Sequence, residues 1–106
     1  MKKKHPANDG GLSPREIAKL RSAIRMVWQR TSHARRLVQK RCLTPDGFSK
    51  CEGCGTVVAK VAIDHIVPCG AFNSGYVKRM FVSSKDLQGL CKTCHDAKTK
   101  KERKRA

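Results

Sequence analysis

Apolar residues recur with helical spacing over the first third of the chain and predict two helices. Residues 13–16 (Ser-Pro-Arg-Glu) are typical of a helix start, with Ser as the N-cap, Pro in the first turn and Glu reaching back to the cap. The apolar stripe that follows covers about 100° of arc; it consists of Ile17, Leu20, Ile24, Val27 and Trp28. Residues 31–32 (Thr-Ser) either break or restart the helix. A second, weaker stripe is made of Ala34, Leu37, Val38 and Cys42.

The pattern changes to short β-prone runs after a turn at residues 44–47 (Thr-Pro-Asp-Gly). We expect a short strand over residues 48–51, where the chain carries Phe-Ser-Lys-Cys. A second strand is expected over about 57–63, because Val, Ala and Ile dominate this run. Asp64 and His65 would then stand at the end of the second strand.

The remainder of the chain predicts a loop, a turn and a final helix. Residues 69–82 carry Gly, Asn and Ser and are expected to be a loop. Residues 83–86 (Ser-Ser-Lys-Asp) suit a capped turn, and residues 92 to about 103 suit a helix that runs into a basic tail. The chain is thus divided into a flexible basic arm (1–12), a helical basic extension (13–43), a compact domain (46–100) and a basic tail (101–106).

The charge of the 106-residue chain is strongly positive, at +16, with a sequence pI near 10.2. Such an excess destabilises a compact fold by self-repulsion unless a polyanion is the partner. Nucleic acid is the expected partner, and an anionic membrane surface is the alternative. No apolar run is long enough to span a bilayer, and no apolar stretch follows the basic start as in a secretory signal. An intracellular location is therefore expected.

Basic residues concentrate on the predicted helices, where residues 14–42 hold nine Lys or Arg and a single acid, Glu16. They form either a track for the DNA backbone or an ordinary solvated face. The candidates for DNA contact in this part are Arg15, Lys19, Arg25, Arg30, Arg35 and Arg36. Lys78 and Arg79 interleave with Tyr76 and Phe81 in the loop, although Phe81 equally suits a place over the core. Lys98 either contacts phosphate or is solvated.

Six cysteines are present, and four of them form two Cys-x-x-Cys pairs, Cys51 with Cys54 and Cys91 with Cys94. Each pair is typical of a knuckle that presents two thiolates to one tetrahedral ion, and four thiolates form a closed shell that suits structural zinc. Since no export signal is visible, this interpretation is favoured over disulfides. A zinc staple would also support the thin core of a chain this short. Cys42 and Cys69 are left for small buried positions.

Other residues with chemically reactive side chains lie between the Cys pairs and directly after the second pair. Together with the pairs they form the segments CEGCG, AIDHIVP and KDLQGLCKTCHDAKT. In this order they resemble the zinc-bearing HNH endonucleases of phages and homing-type elements, over about residues 48–100. The resemblance implies an α+β fold, a small ββα-metal (His-Me finger) core with structural zinc, here preceded by one or two basic helices. Residues 46–100 would be the HNH nuclease domain. The central Asn of the family name falls at Asp86.

The resemblance also implies roles. His65 would be the general base, and Asp64 and His95 would bind a catalytic divalent ion such as Mg²⁺ or Mn²⁺. A neutral imidazole suits the base because its pKa lies near the working pH. An ionised Asp86 could accept a hydrogen bond from the His65 ring; if the position requires an amide donor, Asn73 is an alternative source. His95 could instead replace Cys94 on zinc. Because successive residues of a strand point to opposite sides, Asp64 and His65 cannot both aim at one ion without a bend.

Three functions remain open from the sequence. The first is a metal-dependent HNH endonuclease that nicks or cleaves DNA with weak sequence preference. The second is a non-catalytic zinc-knuckle module that binds nucleic acid. The third is an interaction module that meets a protein partner through residues 14–42, and the resemblance makes phage packaging proteins candidates. We expect a monomer, with no membrane association, in the host cytoplasm if the chain is phage-encoded.

Overall fold

The expected α+β class is confirmed in a computed structural model, which describes residues 11–105 and all their side chains except that of Arg105. Most of the arm expected over 1–12, and the last residue of the tail, lie outside the described residues. A 3₁₀ turn at Ser84–Asp86 precedes the last strand. The other elements are α1 (Pro14–Thr31), α2 (His33–Cys42), β1 (Ser49–Lys50), β2 (Val57–Val58), β3 (Ala62–His65), α3 (Tyr76–Met80), β4 (Leu87–Leu90) and α4 (Lys92–Arg105).

The helix start and the helix break predicted for the first third are both confirmed. The Ser13 hydroxyl accepts a hydrogen bond from the Glu16 amide at 3.2 Å, and the Glu16 carboxylate accepts one from the Ser13 amide at 2.8 Å. Ser32 ends α1 and also caps α2, since its hydroxyl accepts a hydrogen bond from the Arg35 amide at 3.1 Å. Side-chain caps thus satisfy amides that the helix itself leaves unpaired.

The apolar stripe of α1 is buried only near its C-terminal end, which differs from the prediction. Trp28 is 2% exposed and Ile24 packs beside it, whereas Leu20 and Val27 are 40% and 52% exposed. An 18-residue helix is about 27 Å long, and this one packs mainly against α3 and, through Trp28, against His65. In α2, Val38 and Cys42 of the predicted stripe are buried.

Two antiparallel sheets of two strands each take the place of the expected long strand. Strand β1 pairs with β2, with Ser49 opposite Val58, and β3 pairs with β4, with Asp64 opposite Gln88. The strand predicted over 57–63 is therefore wrong in its bounds, because residues 57–58 and 62–65 belong to different sheets. Buried Val61 lies between them and faces the core.

The segment predicted as a loop over 69–82 contains α3. This helix of five residues buries Tyr76 and Met80 at its two ends. Phe81 is 41% exposed, so the core position considered for it belongs to Met80 instead. Both leftover cysteines are buried as predicted, Cys69 and Cys42. The main core comprises Trp28, Val38, Cys42, Val61, Cys69, Tyr76, Met80 and Leu87.

Helix α2 crosses β4 at Gly89 at very short range. A Cβ atom at Gly89 would lie 2.6 Å from the Cys42 sulfur, so a larger residue would force the helix away. Beside this contact, Arg41 of α2 forms a two-pronged ion pair with Glu52, with both N–O distances 2.7 Å. Glu52 also accepts a hydrogen bond from the Gly89 amide at 2.8 Å. The helix, the first Cys pair and the second sheet are thereby joined.

Within residues 11–105, none of the helices combines the length and apolar character that crossing a membrane requires.

Candidate metal centre and adjoining cavity

The four predicted cysteines converge on one point. Their sulfur atoms all lie within 4.8 Å of one another, and none of the four is in a disulfide. The sulfurs of Cys54 and Cys91 are 3.8 Å apart. Two thiolates on a tetrahedral zinc ion, each at about 2.3 Å, are separated by roughly 3.8 Å. The group could therefore hold a structural metal such as zinc.

The first pair lies in a tight turn that directs backbone amides at sulfur. The Gly53 and Cys54 amides lie 3.3 and 3.4 Å from the Cys51 sulfur. Gly55 follows with φ of +80°, a left-handed conformation that glycine adopts without strain. Burial opposes ionisation of Cys51, but hydrogen bonds from the Cys91, Cys54 and Gly53 amides outweigh it and lower the pKa of this thiol to about 6. The turn thus favours a thiolate.

The second pair starts α4. Cys91 directly precedes the helix and its carbonyl accepts a hydrogen bond from the His95 amide at 2.9 Å. Hydrogen bonds with Cys54, Cys91 and Cys51 raise the pKa of Cys94 to about 12. Four thiolates this close repel one another, so a dication at their centre is needed for all to ionise. In the described part of the chain the metal-compatible group consists of the four cysteines, and His95 does not replace Cys94.

A cavity of about 270 Å³ lies next to His95, the residue that follows Cys94, and is lined by the residues predicted to act in catalysis. Asp64, His65 and His95 all contribute to its wall. The Asp64 Oδ1 atom lies 3.8 Å from the His95 Nε2 atom. The other lining residues are Arg25, Ile63, Pro68, Cys69, Thr99 and Glu102.

Asp64 faces α4 and is 9% exposed. Its Oδ2 atom accepts a hydrogen bond from the Gln88 amide group at 2.9 Å and lies 3.1 Å from the Lys98 amine. Its Oδ1 atom is the one directed at His95. Burial disfavours the charged form of Lys98, but its bonds to Glu102 and Asp64 outweigh this and raise its pKa. Lys98 therefore neutralises the buried carboxylate.

His65 faces the opposite side of the strand, toward α1 and α3. Its Nε2 atom is 2.8 Å from the Met80 carbonyl oxygen, and its ring stacks against Trp28 with centroids 4.5 Å apart. A carbonyl only accepts hydrogen bonds, so Nε2 carries the proton and Nδ1 of the neutral ring is left with a lone pair. Asp64 and His65 thus have partners on opposite sides of β3, as strand geometry predicts, and still border one cavity.

Asp86 does not contact the His65 ring, the partner that was considered for it. It is exposed at the end of the 3₁₀ turn, and its carboxylate accepts a hydrogen bond from the Ser83 hydroxyl at 3.4 Å. The His65 ring is held by the Met80 carbonyl instead. Only the backbone of Asp86 acts near the strand, where its carbonyl accepts a hydrogen bond from the Ile66 amide. Asn73 bonds to Gly75 and Arg79 within its own loop.

Four of the nine basic residues predicted to contact DNA are engaged by protein atoms, and one of them, Arg36, donates to the Arg30 carbonyl at 3.4 Å. Arg79 donates to the carbonyls of Cys69 and Ala71 at 2.5 and 2.6 Å and so braces the loop. The guanidinium of Arg35 lies 5.5 Å from the centre of a Trp28 ring. Lys98 is held by Asp64, as described above. The exposed remainder comprises Arg15, Lys19, Arg25, Arg30 and Lys78.

Sequence reasoning missed the residues that surround His65 and Asp64 from outside the motif. Trp28 and Met80 contact the His65 ring, and Arg25 reaches the cavity wall. No local signal marks Trp28 and Met80 as neighbours of His65, because each arrives through tertiary packing of a helix. Arg25 was predicted to contact DNA, but its place beside this cavity was not predicted. Gln88 could have been found by pairing the two strands, since it stands directly opposite Asp64.

The chain was compared with protein-family models, with curated proteins and with solved structures, and none of them matched.

Proposed function

We propose that this protein is a metal-dependent endonuclease of the HNH type that hydrolyses DNA phosphodiester bonds by nicking or cleavage with weak sequence preference. The observation that carries the proposal is the common cavity of Asp64, His65 and His95 beside the four-cysteine centre. This hydrolysis requires a carboxylate and an imidazole to bind a divalent ion, here Asp64 and His95. It also requires an imidazole with a free nitrogen to act as the base, here His65.

The donor set in the cavity fits a hard divalent ion. Asp64 and His95 would hold it, because their facing atoms are 3.8 Å apart, within the span of two ligands that each lie about 2.1 Å from Mg²⁺. Two protein ligands leave open positions for water and phosphate oxygens. Such an ion neutralises charge that develops on the phosphate and stabilises the departing 3′ oxygen. Mn²⁺ also suits these ligands.

The protein contributes the proton transfer through His65. Its Nδ1 atom accepts the proton of a water molecule, and the resulting hydroxide attacks phosphorus. The bond from phosphorus to the 3′ oxygen breaks, and that oxygen leaves with the electron pair and takes a proton from solvent. The hydrogen bond from Nε2 to the Met80 carbonyl stabilises the imidazolium that forms.

The cysteine centre and the surface charge support the same function. His95 follows Cys94 directly, so a metal on the thiolates would fix the first turn of α4 and with it the His95 side chain. A net charge of +16 suits a DNA partner, because each neutralised phosphate releases counterions.

The proposal is tested by plasmid nicking with purified zinc-loaded protein and Mg²⁺ or Mn²⁺. Replacing His65 by Asn should lower the cleavage rate by about 10²-fold or more, the usual contribution of a general base. DNA binding should stay within about twofold, since the imidazole acts on water. The matched control is His33→Asn, at an exposed histidine of α2. Equal nicking by the His65→Asn variant and the parent would refute the proposal.

A second candidate is a non-catalytic zinc-knuckle module that binds nucleic acid. Two observations favour it: an acid, Asp86, stands where the family has Asn, and Lys98 already neutralises Asp64. Salt-dependent DNA binding without cleavage in Mg²⁺, Mn²⁺, Co²⁺ or Ni²⁺ would establish this alternative.

A further inference from the structure

Arg25 reaches the cavity from an unexpected part of the chain. It belongs to α1, outside the residues of about 48–100 that carry the HNH resemblance. Among the nine lining residues it is the single Lys or Arg, and Asp64, His65 and His95 share that wall. The other exposed basic residues of α1 do not border the cavity.

The charge of Arg25 also acts on another residue of the same wall. Burial raises the pKa of the Cys69 thiol, and the positive charges of Arg25, Arg79 and Arg21 act against that rise. Cys69 also lines the cavity, so the Arg25 charge is close to it.

Arg25 differs from those two neighbours because it is free to bind. Arg79 donates to the carbonyls of Cys69 and Ala71. Arg21 donates to the Gly70 carbonyl and lies over the Tyr76 ring at 5.5 Å. Within residues 11–105, no hydrogen bond or ion pair engages the Arg25 guanidinium.

The backbone that carries Arg25 is fixed on both sides along α1. One turn later, Trp28 stacks on the His65 ring. One turn earlier, Arg21 bonds to the loop at Gly70. Positions 21, 25 and 28 lie on the same face of a helix. The Arg25 backbone is therefore fixed relative to the His65 ring, and the unbonded guanidinium can reach a ligand from there.

We propose that Arg25 binds a non-bridging oxygen of the phosphodiester that enters the cavity. The proposal rests on the phosphodiesterase function proposed above and names a further substrate-binding residue for it. A guanidinium offers a planar fork of donors that matches phosphate oxygens, and it stays charged at every working pH. Its contribution grows as negative charge accumulates on the phosphate during attack. Helix α1 is then part of the active site.

The first test uses a small substrate, bis(4-nitrophenyl) phosphate, which carries one phosphodiester and is too short to follow an extended DNA track. Replacing Arg25 by Gln should lower kcat/KM by about 10²-fold, as expected when one donor to a developing oxyanion is lost. Arg25→Lys should restore part of the loss. The matched control is Lys85→Gln, which removes one charge at an exposed position that does not line the cavity and should stay within about twofold.

The second test measures binding without turnover. Dimethyl phosphate is titrated into zinc-loaded protein at fixed ionic strength, without a second divalent ion, while the imidazole C–H signals of His65 and His95 are followed by NMR. We expect the Kd to rise about tenfold in Arg25→Gln and to remain unchanged in Lys85→Gln.

The results separate this inference from the proposed function. Equal Kd and equal kcat/KM for Arg25→Gln and the parent would overturn the role of Arg25 even if DNA is cleaved. An undiminished cleavage rate in the His65→Asn variant would overturn the nuclease mechanism instead, while an Arg25-dependent Kd would still support a phosphate site here.

Discussion

The orientation of His65 depends on two contacts that lie outside the recognisable motif. The Met80 carbonyl fixes the proton on Nε2, and the Trp28 ring limits rotation of the imidazole. Both partners are buried, with Met80 at 0% and Trp28 at 2% exposure. A general base is effective only when its lone pair is directed at the water it deprotonates. Under the proposed nuclease function, these contacts would position the base.

Replacing Trp28 by Leu removes the stacked ring while keeping an apolar side chain. We expect the single-turnover cleavage rate at saturating protein to fall about tenfold, because misoriented catalytic groups lose much of their effect. Trp28→Phe keeps a ring and should recover most of the rate. Loss of a large core side chain also costs about 2–4 kcal/mol, so rates are compared well below each variant's Tm. Equal rates in Trp28→Leu and Trp28→Phe would contradict a positioning role.

Single residues also show where sequence reasoning reached its limit. The four-cysteine cluster was predictable because the spacing alone brings two thiolates together in each turn. The roles of Arg79 and Lys98 could not be predicted, because the sequence does not distinguish a basic side chain that faces solvent from one that bonds within the protein. Arg79 turned out to brace carbonyls of its loop, and Lys98 to neutralise Asp64.

At the scale of elements, the Arg41–Glu52 ion pair joins α2 to the turn of the first Cys pair. Arg41 also donates to the carbonyls of Ser84 and Leu87, so one guanidinium holds the ends of three segments. The bond with Arg41 lowers the pKa of Glu52 against the opposing effect of burial. A carboxylate whose pKa is lower in the folded state stabilises that state only while it is ionised.

Replacing Glu52 by Gln should lower the free energy of unfolding by about 1–2 kcal/mol at pH 7, a value that allows for partial solvent screening. The stabilisation is present above the unfolded pKa of 4.5 and is lost as the pH falls through the lower folded value. The difference between parent and variant in urea unfolding should therefore shrink below about pH 4.5. Asp96→Asn, at the exposed pair with Lys92, is the control. A difference that is constant from pH 7 to pH 3 would contradict this account.

Elements with local signals were predicted well, and those set by tertiary contacts were not. The cap at Ser13 and the break at Ser32 are visible as side-chain chemistry. The run over 57–63 has uniform β propensity, yet it is divided because β2 pairs beside the first Cys turn and β3 pairs with β4. Helix α3 has no side-chain cap and only five residues, so its pattern is too short to recognise.

On the scale of the whole molecule, the four sulfurs connect two sheets that share no backbone ladder. Cys51 and Cys54 follow β1, and Cys91 and Cys94 follow β4. A small apolar cluster of Cys51, Leu90 and Cys91 surrounds this centre, apart from the main core. With so little apolar surface at the junction, a bound metal would supply much of the folding free energy there.

Replacing Cys54 by Ser should therefore lower zinc content below one per chain and reduce the Tm by more than 10 °C, about 2 kcal/mol or more in a domain of this size. Cys54 is exposed, so the change removes a ligand without opening a cavity. Thr56→Ala is the control, since Thr56 touches the Cys54 sulfur without being a ligand. Zinc content and Tm are measured on the same preparations. A full zinc complement in Cys54→Ser would show that the metal binds elsewhere.

The central claim is that two chemically different ions are held side by side, one by sulfur and one by Asp64 and His95. A crystal structure of the zinc-loaded protein soaked in Mn²⁺, with anomalous data at both absorption edges, tests it most directly. We predict zinc among the four sulfurs and Mn²⁺ between Asp64 and His95, with Lys98 moved off the carboxylate. Manganese absent from that pair, or zinc bound through His95, would contradict the claim.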